Sequence, residues 1–181
     1  MGRIERRRFH ALCGAGSRSL LKAGAGGAAE PEVLRLSPDG WAPNNERLPV
    51  IVCRGAITAM GADPAGLSET ALERNGWPPL WRNGIDDFHH CHSAAHEAPG
   101  FACGRARLMR GGEKGSGVFV RAGDAAALPA ATGHCRMESS TDFLVAGAYP
   151  AGRRVAMLRR APPPAEIAVM LQLWFPASDP V

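Results

Sequence analysis

The chain has 181 residues, of which 45% are hydrophobic and only 6% aromatic, which suits one domain with a buried core. No apolar run approaches the roughly 20 residues that a membrane-spanning helix needs, so we expect no membrane partner. The net charge of +4 lies entirely in residues 1–30, because residues 31–181 carry fifteen basic and fifteen acidic side chains. A neutral body argues against a nucleic-acid partner.

The basic N-terminal segment, residues 1–30, is expected to be disordered or loosely ordered. Arg6-Arg7-Arg8 resembles the start of a twin-arginine export signal. However, Arg18 and Lys22 interrupt the apolar stretch that such a signal requires. Glycine and alanine dominate what remains, a composition that favours disorder or an upstream start over a leader. We therefore predict a single folded domain over residues 31–181.

The first part of this domain predicts two strands and one helix. Glu32–Leu36 alternates in polarity as a strand does, and Leu48–Cys53 is a second apolar run. A helix should begin at Asp63-Pro64, an N-cap followed by a proline in the first turn, and end at Asn75-Gly76. Three residues form its expected buried stripe: Leu67, Ala71 and Leu72.

From Trp81 to Tyr149 the sequence predicts short strands between turn signals, with no helix among them. The candidate strands are Phe88–His92, Glu97–Cys103, Arg105–Met109, Gly117–Arg121, Ala125–Leu128, His134–Met137 and Asp142–Tyr149. Such spacing is typical of an antiparallel sandwich or barrel, so the fold class is mainly all-β with one or two short helices. Glu166–Phe175, after three prolines, fits either a helix or an edge strand, and periodicity leaves both open.

Three histidines and one glutamate have the spacing of a metal site. Side chains at positions i and i+2 of a strand point to the same face, so His90 and His92 can bind one ion together. A turn after Ser93 can then bring Glu97 back on the neighbouring strand. His134 arrives from a later strand, after a turn rich in proline and glycine.

The framing of these four residues resembles the two motifs of the cupin superfamily. The first motif comprises Gly84, His90, His92, Glu97 and Gly104, and the second comprises Gly123, Pro129 and His134. The H-H-x-H-S-x-x-H-E block, residues 89–97, is similar to that of uncharacterised small single-domain bacterial cupins. This resemblance implies an antiparallel jelly-roll β-barrel with one metal ion in its mouth.

Two positions depart from the cupin pattern. The usual Pro-x-Gly of the second motif reads Pro129-Ala130-Ala131, with Gly133 displaced to just before the histidine. Glu138 stands where an asparagine often closes the motif, so activities that depend on that asparagine do not follow from the resemblance. The four ligand positions themselves are intact.

The donor set predicts one divalent transition metal per chain. Neutral imidazoles and a carboxylate suit Fe, Mn, Ni, Cu or Zn better than Ca or Mg, which prefer oxygen ligands. Four protein ligands leave positions open on a five- or six-coordinate ion, whereas a structural zinc site usually closes at four.

Residues beside the ligands have alternative roles. His89 and His96 have the opposite strand parity, which favours outward-facing positions over a role as hydrogen-bond donors to the ligands, and Cys91 should be a small buried side chain. Arg136 shares the parity of His134 and could anchor a substrate carboxylate or phosphate, although a solvated strand-end arginine is the simpler interpretation. Three aromatic residues are expected to line the barrel: Phe88, Phe101 and Tyr149.

Three functional hypotheses follow from this site. The first is a metal-dependent enzyme, a dioxygenase, isomerase or decarboxylase, acting on a small oxygenated or carboxylated molecule. The second is a non-catalytic module that binds or senses a small molecule, and the third is a metal that only stabilises the fold. Five cysteines without a regular framework favour a reduced, cytoplasmic compartment. Edge strands of such barrels are often covered by a second subunit, so a homodimer is expected by analogy.

Overall fold

A computed structural model describes residues 30–181; the predicted N-terminal tail lies outside this range apart from Glu30. Eleven strands and two helices follow one another along the described part of the chain. They are β1 (Glu32–Leu34), β2 (Val50–Cys53), α1 (Pro64–Arg74), β3 (Pro79–Asn83), β4 (Cys91–His92), β5 (Ala98–Cys103), β6 (Arg105–Arg110), β7 (Ser116–Arg121), β8 (Ala125–Ala127), β9 (His134–Ser139), β10 (Leu144–Ala148), β11 (Met157–Leu158) and α2 (Pro164–Leu171).

The strands form three antiparallel sheets. The largest has the order β1-β2-β8-β5-β10-β3, a second has the order β7-β6-β9, and β4 pairs with β11 in a two-stranded ribbon. β6 and β7 form a hairpin, but other neighbours, such as β2 and β8 or β10 and β3, are distant in sequence. Long-range pairing therefore holds the large sheet together. The mainly β prediction is confirmed, but the sheets of the described residues do not close into a barrel.

The main apolar core contains residues from both the six-stranded and the three-stranded sheets. Val52, Phe101 and Val145 contribute from the large sheet, and Leu108 and Val120 from the small one. Each of these five side chains is at most 2% exposed. Burying their apolar area is the main stabilising contribution to such a two-sheet arrangement.

Helix α1 begins as the sequence predicts but buries a different face. The Asp63 carboxylate accepts a 3.0 Å hydrogen bond from the Gly66 backbone N–H, which caps the helix. Leu72 is buried as expected, whereas Leu67 is 39% exposed and Ser68 lies in its place against the sheet. The small Ser68 side chain, bonded to the Pro64 carbonyl, allows close approach of the helix to the sheet.

The C-terminal segment, open between helix and strand on sequence alone, forms helix α2 over Pro164–Leu171. Its Met170 is fully buried against Cys91 and Ala131, which places the helix behind the predicted metal-binding strand. Neither helix of residues 30–181 has the length and apolar character needed to cross a bilayer.

Gly147 on β10 allows Trp81 to pack flat against the backbone beside the predicted site. A Cβ atom at Gly147 would collide with the Trp81 ring, notably with Cε2 and Cζ2. Trp81 Nε1 in turn donates a 2.9 Å hydrogen bond to the Tyr149 hydroxyl. A glycine at this position therefore sets the position of both aromatic residues.

We predict that Gly147→Ala lowers the free energy of unfolding by about 1–3 kcal/mol, because overpacking displaces the Trp81 ring. Chemical denaturation followed by tryptophan fluorescence measures this change. Gly84→Ala is the matched control, since no atom lies within 4 Å of the added methyl group there. Equal stability of the two variants would contradict the packing role of Gly147.

Candidate metal centre

Backbone pairing between two segments brings His90 and His134 together. The His90 N–H donates to the His134 carbonyl at 3.0 Å, and the His134 N–H donates to the His90 carbonyl at 2.9 Å. Directly opposed residues of an antiparallel pair share a face, so their imidazoles lie side by side with ring centroids 4.1 Å apart. His92, two residues along from His90, returns to the same face as alternation predicts.

The imidazoles of His90, His92 and His134 converge on one point inside the protein. One potential ligand nitrogen from each lies within 4.8 Å of the others. All three side chains are buried, with at most 5% exposure. This buried triad could hold a metal ion.

Glu97 lies against two of the three histidines. Its Oε1 is 3.5 Å from His92 Nε2, and its Oε2 is 3.3 Å from His134 Nε2. The route by which Glu97 arrives differs from the predicted one. Glu97 pairs with Leu128 at the start of β5 in the large sheet, whereas β4 pairs with β11, so the carboxylate comes from a separate sheet.

Backbone carbonyls fix the orientation of two of the imidazoles. His90 Nδ1 lies 3.0 Å from the Phe88 carbonyl, and His134 Nδ1 lies 3.0 Å from the Thr132 carbonyl. Because a carbonyl only accepts, each Nδ1 carries the proton and each Nε2 presents a lone pair. These bonds are the outer-shell contacts that orient histidine ligands in metal sites.

This tautomer leaves two buried acceptors facing each other. The lone pair of His134 Nε2 and the Glu97 Oε2 atom are 3.3 Å apart, and neither has a hydrogen-bond partner among the described residues. Two unpaired acceptors in a dry interior are unfavourable unless a proton or a cation lies between them. The arrangement therefore fits a bound cation.

The electrostatics favour the protonation states that metal binding requires at His90, His134 and Glu97. At His92 burial lowers the pKa but Glu97 raises it further, so a metal ion competes with a proton there. Burial lowers the pKa of His134 to about 4. The neighbouring His90 and Arg110 lower it further and Glu97 raises it, so the imidazole is neutral near pH 7. Burial likewise lowers the pKa of His90. Burial would raise the pKa of Glu97, but the His92 charge and the contacts with both histidines hold it well below the usual range.

A hydrogen-bonded chain of two aromatic residues orients Glu97. The Tyr149 hydroxyl donates a 2.8 Å hydrogen bond to Glu97 Oε1, and it accepts the bond from Trp81 Nε1. Burial and the nearby Glu97 charge raise the pKa of Tyr149, so the phenol stays protonated and remains a donor. Tyr149, predicted as a barrel-lining or second-shell residue, thus contacts the carboxylate directly.

The turn before His134 keeps a left-handed residue where the cupin pattern has glycine. Ala131 has φ 75°, a conformation that glycine adopts far more readily than alanine. Its N–H donates to the His92 carbonyl at 2.9 Å, and its carbonyl accepts from the Asn44 N–H. These bonds connect the turn to a ligand strand, which offsets the backbone strain.

The prediction that His96 faces outward is wrong. Its ring points away from the triad, as strand parity requires, but it is only 2% exposed because the C-terminal segment covers that face. Nδ1 accepts from the Ala130 N–H at 2.9 Å, which leaves Nε2–H to donate to the Trp174 carbonyl at 3.2 Å. His96 therefore joins the ligand turn to the C-terminus.

The other neighbours of the ligands occupy three different environments. His89 is half-buried with Nε2 3.4 Å from Cys135 Sγ, and Cys91 is fully buried as predicted. Burial raises the pKa of the Cys91 thiol to about 12, so it is unreactive. Phe88 is half-buried beside His90, and the Arg159 guanidinium lies 3.8 Å from its ring centroid, a cation–π contact.

Arg136 is engaged with a loop rather than directed at the triad. Its Nε donates to the Ile85 carbonyl at 2.9 Å, and Nη2 is 3.8 Å from the Asp87 carboxylate. With about a quarter of its side chain exposed, it is not a freely solvated arginine, and its role as a substrate anchor stays a prediction.

Two buried polar residues near the triad were not identified from the sequence. Asn44 donates to the Ser37 and Gly111 carbonyls and accepts from Gly133 N–H, which holds the loop before His134. Arg110 is 1% exposed and pairs in register with His134. The period-two alternation of β6 predicts the inward direction of Arg110, but its charge made an exposed strand end the natural expectation.

We predict that metal-free protein loses stability as the pH falls from 7 to 5. The folded pKa of His134 lies below the value of about 6.5 for an unfolded chain, so the unfolded state binds the extra proton in this window. His134 should lower the free energy of unfolding by about 1–2 kcal/mol over this range. His92 partly offsets this loss, because burial lowers its pKa but Glu97 raises it further, so the folded state takes up a proton there.

Denaturant unfolding of chelator-treated protein at several pH values measures this dependence. His134→Gln cannot take up the proton, so its stability should decline less over the same window. A wild-type protein with constant stability, or a variant with the same pH slope, would contradict the assignment.

Comparison with known proteins shows that the chain is similar in sequence to a bacterial protein. No protein-family model matches this sequence. The chain is 37% identical over 154 residues to a protein of Bacillus subtilis (strain 168) described as uncharacterized protein YjlB, and the match covers 84% of this chain and 90% of that protein. With this identity over nearly the whole of both sequences, the chain belongs to the same family as Bacillus subtilis YjlB.

Proposed function

We propose that this protein is a mononuclear metal-dependent enzyme of cupin type that acts on a small oxygenated or carboxylated molecule. His90, His92 and His134 supply three imidazole ligands, and Glu97 supplies a carboxylate. The observation that carries the proposal is the pair of unsatisfied buried acceptors, His134 Nε2 and Glu97 Oε2, that face each other across 3.3 Å.

The sheet arrangement supports a cupin-like jelly roll. Antiparallel sheets of six and three strands contribute to one apolar core, and strands distant in sequence alternate between them. The triad draws on β4 and its preceding residue His90 together with β9, while Glu97 precedes β5. Ligands carried by several short strands at one end of two packed sheets are what the resemblance to cupins implies.

The donor set favours iron, manganese, nickel, copper or zinc. Bound there, such an ion supplies Lewis acidity or redox chemistry to a small molecule at its open positions. The protein's own contributions are distinct. Glu97 supplies the compensating negative charge, the Phe88 and Thr132 carbonyls orient two imidazoles, and the burial of all three histidines limits the access of water.

We predict that the protein, purified without chelators or an affinity tag, binds one equivalent of a divalent transition metal. Removing one imidazole should lower the metal affinity at least about 100-fold, because the loss of a group that only hydrogen-bonds to a ligand already costs up to about 100-fold. Metal analysis after dialysis, with competition against a chromogenic chelator, measures the affinities of His90→Ala and His134→Ala.

His89→Ala is the matched control, because His89 neighbours a ligand in sequence but lies outside the converging triad. It should bind metal as the wild type does. The central proposal fails if His90→Ala and His134→Ala retain the wild-type metal content.

Tyr149→Phe removes a single hydroxyl group and is expected to weaken metal binding about 10- to 100-fold. The lost hydrogen bond leaves Glu97 Oε1 less firmly oriented and raises the pKa of the carboxyl group. Chelator competition on the purified variant measures the change, with circular dichroism as a check on folding. An unchanged affinity would show that the Tyr149 bond does not act on the metal.

Oxygen-uptake and product screening of the metal-loaded protein with small acids, diketones and sugars tests catalysis. Turnover by the wild type and its absence in His134→Ala support the enzyme. Saturable binding of a small molecule without turnover, both with and without oxygen, would instead identify a binding or sensing module.

A further inference from the structure

Arg110 lies at the end of β6 and faces the interior of the protein. It is directly opposite His134 in the register between β6 and β9, and opposed residues of an antiparallel pair share a face. Leu108 and Ala106, at two-residue intervals before it, are buried in the main core. Its guanidinium therefore lies within the electrostatic range of the triad, where it acts on His134 and Glu97.

The guanidinium group is buried without partners. Nε, Nη1 and Nη2 each have no hydrogen-bond partner among residues 30–181, and the residue is 1% exposed. Two half-buried arginines behave differently, since Arg136 bonds to the Ile85 carbonyl and Arg82 bonds to Glu69 and Asp63. Burying five N–H donors unpaired is strongly unfavourable, so Arg110 requires acceptors from outside the described residues.

Glu97 does not satisfy Arg110. Its two carboxylate oxygens are directed at Tyr149, His92 and His134, and no ion pair joins it to Arg110 within 4.0 Å. Burial lowers the pKa of Arg110 to about 10, which still leaves it charged at neutral pH. With a divalent cation at the triad, one carboxylate faces more than one positive charge, so the site carries a net positive charge.

We propose that Arg110 is the substrate-anchoring residue of this site and binds the carboxylate group of a small organic acid through its guanidinium fork. This assignment rests on the proposed function and specifies its substrate class. The acid's carboxylate supplies the acceptors that Arg110 lacks, and the rest of the molecule lies towards the three histidines.

A carboxylate fits this position better than a phosphate. Its two oxygens match the planar fork of arginine and carry a single negative charge, which costs less to bury than the double charge of a phosphate. Leu108 and Ala106, which precede Arg110 on the same face of β6, are aliphatic and offer no hydroxyl or ammonium group to a third phosphate oxygen.

Calorimetric titration tests the assignment with three acids and their uncharged amides as probes: glycolate, lactate and pyruvate against glycolamide, lactamide and pyruvamide. Metal-loaded wild type should bind at least one acid more tightly than its amide. Arg110→Gln should lower the affinity for that acid about 10-fold or more, as expected for losing hydrogen bonds to a charged group. Arg110→Lys keeps the charge but loses the planar guanidinium fork, so its affinity for the acid should lie between those of the wild type and Arg110→Gln.

Arg107→Gln is the matched control, because Arg107 is an exposed arginine on the same strand and loses the same charge. It should bind the acids as the wild type does. If no acid is preferred over its amide, or if Arg110→Gln binds the acids as tightly as the wild type, the assignment is overturned.

Thermal unfolding without ligand separates a binding role from a structural one. Replacing a buried, unpaired charge by an apolar side chain of similar length should raise the Tm of Arg110→Met by about 2–8 °C. A fall of similar size would mean that Arg110 supports the fold, which contradicts a role in ligand binding.

Metal content, measured in the same samples, distinguishes the two proposals. Full metal content without acid preference overturns the Arg110 assignment alone. Absence of metal from every sample overturns the proposed metal-dependent enzyme. The Arg110 assignment is still supported in that case if metal-free wild type prefers an acid over its amide and Arg110→Gln does not.

Discussion

The candidate site depends on one constraint, which is that several polar groups are buried without a hydrogen-bond partner among the described residues. His134 Nε2 and Glu97 Oε2 present lone pairs to each other, and nearby Arg110 presents N–H donors to no acceptor. Unpaired acceptors favour a cation, whereas unpaired donors favour an anion. The proposed metal ion and acidic ligand would meet these two needs together.

The rest of the fold keeps this arrangement in place against its electrostatic cost. Backbone carbonyls hold the imidazole tautomers, the Trp81–Tyr149 pair holds the carboxylate, and Asn44 holds the loop before His134. Gly147 makes room for Trp81, and Ala131 accepts an unfavourable φ to keep its bonds to the neighbouring segments. Such strain and buried polarity are expected where a protein maintains a functional site at the expense of stability.

Local sequence patterns predicted most elements well because their signals are local. The N-cap Asp63 and the proline after it mark the start of α1, and alternation predicts β6, β7 and β9 to within a few residues. The errors came from tertiary context. Leu67 is more apolar than Ser68, but the sheet packs closely against the helix and buries the smaller side chain. His96 lies outside the triad as predicted, yet Trp174 and Phe175, which follow helix α2, cover its ring.

The sequence by itself determined that His90 and His92 can share a face, because residues two apart on an extended segment do so, and it identified His134 and Glu97 as candidate donors. It also determined that Cys91 turns away from the site, and that the net positive charge of the chain lies outside residues 31–181. Only the tertiary structure decided which histidine lone pairs are free, how Glu97 approaches from another sheet, and which arginine stands beside the triad. The reason is physical: hydrogen bonds to carbonyls and the burial of Arg110 depend on segments distant in sequence, and no local pattern encodes those distances.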